Sequence, residues 1–146
     1  MTDGLRLTYH ADDDGEDFGR LEVDVRHEGF AGQGECHFTR EALTRFAGQL
    51  GAYPLTEPWP RLVGGYGEPE IDEVAVSLSA AQINPRGQVG IEILLRDPDA
   101  VGSEAREVRL TMPTTYARLD AFHRSWLAVL RVPSDETVEL GAERLA

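Results

Sequence analysis

Five side chains could ligate a metal or act as a nucleophile or base: Cys36, His10, His27, His37 and His123. Cys36 and His37 are neighbours on a strand-like stretch, so they point to opposite faces and cannot readily share an ion. His10, His27 and His37 fall on or beside neighbouring predicted strands, where an outer-face cluster competes with ordinary surface histidines. A nucleophilic cysteine needs a base and an orienting group beside it. Cys36 falls on the predicted core face, where a thiol is a small hydrophobe. Gly29, Gly32 and Gly34 superficially suggest a phosphate loop. Such a loop must open directly into a helix, yet Glu35 to Phe38 intervene and the chain has no lysine. The carboxylates of Asp12–Asp14 and Glu68–Glu73 fall in predicted loops, where acidic side chains are normally solvated. No catalytic residue, cofactor ligand or metal ligand is assigned.

The elements that must carry these residues follow from periodicity. "LRLTYHA" (5–11) and "GRLEVDVRHEG" (19–29) alternate apolar and polar, as half-buried strands do, around an acidic turn at 12–17. In the third strand Phe30, Gly32, Gly34, Cys36 and Phe38 share one face, bulky at its ends and bare in the middle. Glycine inside a strand marks a bulge or a close backbone approach, and a crossing helix is the expected occupant. Thr39 caps that helix, with Leu43, Phe46, Ala47 and Leu50 on its inner stripe. A Pro/Gly-rich loop spans 51–72, with room for a short strand within it and Trp59 covering a core edge. Strands with Val74, Val76 and Leu78, then Val89 to Leu95, then Val108 to Met112 lead to a second helix capped at Thr114 or Thr115. Its stripe is Leu119, Phe122, Trp126, Val129 and Leu130. The tail, 132–146, frays or adds an edge strand. A shift of 76 residues superposes Thr39 on Thr115 and Phe46 on Phe122, which raises a two-fold internal repeat. The expectation is a single α+β domain over 1–146: an antiparallel meander of about six strands with two helices on one face.

Fourteen basic and 26 acidic residues give a formal charge of −12. That disfavours nucleic acid and anionic membranes and favours encounter with a basic protein. No apolar run is long enough to span a membrane, the N-terminus has no secretory pattern, and one cysteine suits a reducing cytoplasm.

"EGFAGQGECHFTREALTRFAGQL", then "GQVGIEILLRD" and "VRLTMPTTYARLDAFHRSWLAVL", resembles small bacterial immunity proteins of the WapI type and their relatives. Phe30, Gly32, Gly34 and Glu35 match the first motif; Gly90, Ile91, Ile93 and Leu95 match the second loosely. The resemblance spans Gly19 to Leu130 and departs at the Pro54–Pro69 loop. It implies a non-catalytic domain that neutralises a basic toxin domain by direct binding. The expected partner surface is Asp12, Asp13, Asp14, Glu22, Asp24, Glu35, His37, Trp59, Glu68 and Glu70. The alternatives are a small-ligand binder or minor enzyme with a pocket at Gly32 and Gly34 beneath the Trp59 loop, and a homodimer formed through an edge strand or bare sheet face.

Overall fold

The computed structural model describes residues 3–12, 17–67, 71, 73–97, 106–131 and 135–143. The order is β1 (Gly4–Ala11), β2 (Phe18–His27), β3 (Phe30–Thr39), α1 (Arg40–Gln49), β4 (Arg61–Tyr66), β5 (Glu73–Gln82), β6 (Val89–Arg96), β7 (Glu107–Thr114), α2 (Tyr116–Arg131) and β8 (Thr137–Gly141). The class is α+β, as expected. The strands, however, form two antiparallel sheets of four, β3-β2-β1-β8 and β4-β5-β6-β7, where the sequence suggested one sheet of six. Two sheets meet the burial requirement better. Each has one apolar face, and the two sheets meet where β3 packs on β4, β5 and β6.

Alternation is clean in β1 and β2. Leu5, Leu7 and Tyr9 face inward with Leu21, Val23 and Val25, in register across the pair. In β5 the alternation breaks. Val76, Leu78 and Ala80 are buried, but so is Ala75, while Val74 is only half-buried. Gly64 pairs with Val76 and Gly65 with Val74, so a bulge at Ala75 shifts the facing of one strand end.

Inter-sheet packing explains the glycines of β3. A Cβ on Gly32 would lie 2.6 Å from Val108 Cγ2, and one on Gly34 would lie 3.2 Å from Leu95 Cδ2. A Cβ on Gly64 would lie 2.5 Å from Phe38 Cζ and 2.9 Å from Cys36 Sγ. Val108, Leu95, Val76 and Gly64 are successive register partners, one transverse row across the second sheet. β3 therefore runs across that sheet, with glycine over bulk at one end and bulk over glycine at the other. The occupant of the bare positions is the second sheet, not the crossing helix that the sequence suggested. Phe30 is 73% exposed, so the inward face of β3 starts at Gly32.

The two helices pack on each other, α1 also against β3 and β4, and α2 against β8. Phe46 meets Trp126 edge-on at 5.8 Å, and Phe122 lies 5.5 Å from Trp126. His123 Nδ1–H donates to the Ala47 carbonyl at 2.7 Å, which fixes its tautomer. The His123 ring fills the space a Cβ on Gly51 would need.

Both helices start alike. Thr39 Oγ1 accepts from Ala42 N–H, and Thr115 Oγ1 accepts from Arg118 N–H, each at 3.1 Å. The repeat stops at this strand–cap–helix unit. The same shift of 76 would place β2 on 94–103, whereas β6 ends at Arg96. Within the 51–72 stretch, Arg61–Tyr66 is strand β4, and Thr137–Gly141 of the tail pairs with β1.

Candidate functional site

Of the residues expected to meet a partner, Glu22, Asp24, Glu35 and His37 share the outer face of the first sheet. Asp13, Asp14, Glu68 and Glu70 lie outside the described residues. Asp12 closes the end of β1, its N–H donating to the Phe18 carbonyl. Trp59 lies elsewhere, on the far side of the second sheet.

The first sheet's outer face includes the transverse rows Gly141–Gly4–Arg26–Ala31, Glu139–Arg6–Asp24–Gln33, Thr137–Thr8–Glu22–Glu35 and His10–Arg20–His37. Alternation alone makes these residues coplanar. Arg6 pairs with Glu139, and Thr8 with Thr137. Glu22 and Glu35 are directly opposed, an arrangement that repels. One cation serves both: Arg20 lies 3.0 Å from Glu22 and 3.5 Å from Glu35. His10 sits between Glu22 at 3.3 Å and Asp135 at 3.4 Å. His37 stacks on Phe18, and His27 stands at the other end of β2, beside Asp3. The histidines are thus separated by Arg20 and by the length of a strand. Among the described residues no group of three or more candidate ligands is positioned to hold a metal.

Cys36 is 4% exposed, and its Sγ–H points to the His37 carbonyl at 3.6 Å. Burial raises its pKa, and a backbone hydrogen-bonding contribution from His37 only partly offsets the shift. The side chain is a core thiol, not a thiolate nucleophile.

The second sheet's outer face carries an open trough of about 990 Å³. Its floor includes two rows, Arg61–Ser79–Glu92–Thr111 and Ser77–Leu94–Arg109. Glu57, Pro58 and Trp59 from the 51–60 loop form a wall. Leu55 anchors that loop: its side chain is buried and its N–H donates to the Tyr116 hydroxyl at 3.0 Å. Trp59 and the Gly32–Gly34 pair therefore lie on opposite faces of the second sheet. The suggested pocket beneath Trp59 at those glycines does not form, because Val108 and Leu95 fill the glycine side. The trough's polar residues escaped the sequence reading because they are the ordinary polar half of three alternating strands. The signal was there: Ser77, Ser79, Glu92, Arg109 and Thr111 all face away from the core by period two.

A smaller depression of about 370 Å³ opens beside β3, between Gln33, Gly34 and Glu35 on one side and Tyr66, Leu95, Arg96 and Val108 on the other. No helix among the described residues is long and apolar enough to cross a membrane. These observations define an α+β domain of two antiparallel four-stranded sheets and two helices. No protein-family model, curated protein or solved structure matches the chain.

Proposed function

We propose that this chain is a non-catalytic protein-binding domain, an immunity protein that neutralises a basic toxin domain by covering it. The observation that carries the reading is where the negative charge falls. The connection from β1 to β2 holds Asp12, Asp13, Asp14, Glu16 and Asp17 with no basic residue, and that from β4 to β5 holds Glu68, Glu70 and Asp72 with none. The Glu22–Glu35 pair adds two carboxylates that share one arginine. An acid excess of this kind accelerates encounter with a basic surface and rejects acidic ones. The test is binding between this chain and the basic product of the neighbouring gene, by calorimetry at several salt concentrations. A complex whose association slows as salt rises supports the reading; the absence of a complex with any neighbouring gene product contradicts it.

The trough favours a second reading, a small-ligand site. Arg61, Glu92, Ser77, Ser79 and Thr111 converge on one open concavity walled by Trp59. A ligand that raises the melting temperature of the natural chain, but not of the Trp59→Ala variant, would support it.

A further inference from the structure

We infer that the free edge of β3 is where a partner docks, by adding an extended, basic segment as a fifth strand of the first sheet. This rests on the protein-binding reading and gives it a place and a geometry. An unpaired strand edge presents a row of N–H and C=O groups, and proteins usually blunt such edges with proline, a bulge, short length or an outward cation. The other three free edges each carry such a device. β4 is only six residues long, and its pairing is interrupted by the β5 bulge at Ala75; β7 contains Arg109 and Pro113; β8 is five residues long. β3 has none. It is ten residues long, pairs with β2 without interruption from Phe30 to Thr39, and holds neither proline nor arginine.

Two further observations name the occupant. The 370 Å³ depression lies directly beside Gln33–Glu35; Leu95, Val108 and Tyr66 line it, with Arg96, Asp97, Arg106 and Glu107 completing the wall. An added strand would point every second side chain into that space, where a small side chain packs on Leu95 and Val108 within a charged rim. Its alternate side chains would stand on the outer face beside Glu35, which shares Arg20 with the opposed Glu22. An arginine or lysine there supplies the missing countercharge. Gly32 and Gly34 have a double consequence. They let β3 press onto Val108 and Leu95, and they leave its backbone open at the edge.

The test uses the full chain and a synthetic octapeptide of alternating valine and arginine, read by amide hydrogen exchange residue by residue. The expected result is protection of amides between Ala31 and His37. That protection should vanish for the same peptide N-methylated along one backbone edge, which keeps its side chains and charge. The Glu35→Gln variant should bind about fivefold more weakly, the upper range for one cross-strand charge pair. Equal binding of the methylated peptide, or protection elsewhere with β3 unchanged, overturns the inference. So does protection of β3 that rises with protein concentration without peptide, which would make the occupant a second copy of this chain. If the basic neighbouring gene product binds while these amides stay unprotected, the edge assignment falls and the wider reading stands. If the peptide adds to β3 but no basic protein binds, the edge stands and the wider reading falls.

Discussion

Phe38 of β3 lies directly over Gly64 of β4, its Cζ only 2.5 Å from where a Cβ on Gly64 would stand. The aromatic ring of one sheet occupies the side-chain space the other leaves empty. Gly64→Ala should therefore overpack the contact and lower stability by about 1–3 kcal/mol. Phe38→Leu in the same chain should recover part of that loss. Urea unfolding of both variants checks the pair.

Tyr9 is 2% exposed and its hydroxyl has no hydrogen-bond partner among the described residues. A buried donor left unpaired costs about 1–3 kcal/mol. Tyr9→Phe removes the orphan group and keeps the ring. The expected outcome is a melting temperature equal to or above that of the natural chain.

Gly51 follows α1, and the His123 ring fills the position of its missing side chain, with Nε2 2.6 Å from a built Cβ. Gly51→Ala should push His123 off the Ala47 carbonyl and separate the helix pair. A loss of about 1–3 kcal/mol is expected. A shift in the His123 ring resonances, followed by NMR, would report the broken contact.

Burial raises the Cys36 pKa, so the folded chain holds that proton more tightly than the unfolded chain does. The stability from this group is complete below the unfolded thiol's pKa and is lost as pH rises toward the raised folded value. Cys36→Val should flatten the fall in stability at alkaline pH. A thiol reagent should label the folded chain slowly and the urea-unfolded chain fast. Chemical denaturation across the alkaline range and a labelling time course measure the two effects.

Much of the local structure is legible in the sequence because one face of each element is buried. Leu21, Val23 and Val25 mark β2 by alternation, and Thr39 and Thr115 mark two helix starts by their capping chemistry. What is not legible is which element covers which. The bare face at Gly32 and Gly34 signals a close neighbour, but nothing local says that Val108 and Leu95, 76 and 61 residues further on, supply it. The same steric logic hides β4. Gly64 and Gly65 read as loop residues, yet one makes room for Phe38 and the other sits where β5 bulges, its Cβ position blocked by the Glu73 carbonyl. The trough was missed for a related reason. Ser79, Glu92 and Thr111 become a row only once three strands are in register.

The account depends most on β3 crossing the second sheet with side-chain-free positions over bulky partners. A double-mutant cycle on Gly32 and Val108 tests this directly. Gly32→Ala alone should lose stability, since its Cβ would meet Val108 Cγ2 at 2.6 Å. With Val108→Ala already present, the same change should cost little, a coupling of about 0.5–3 kcal/mol. If the two changes are simply additive, or if Gly32→Ala alone costs nothing, the crossing does not hold.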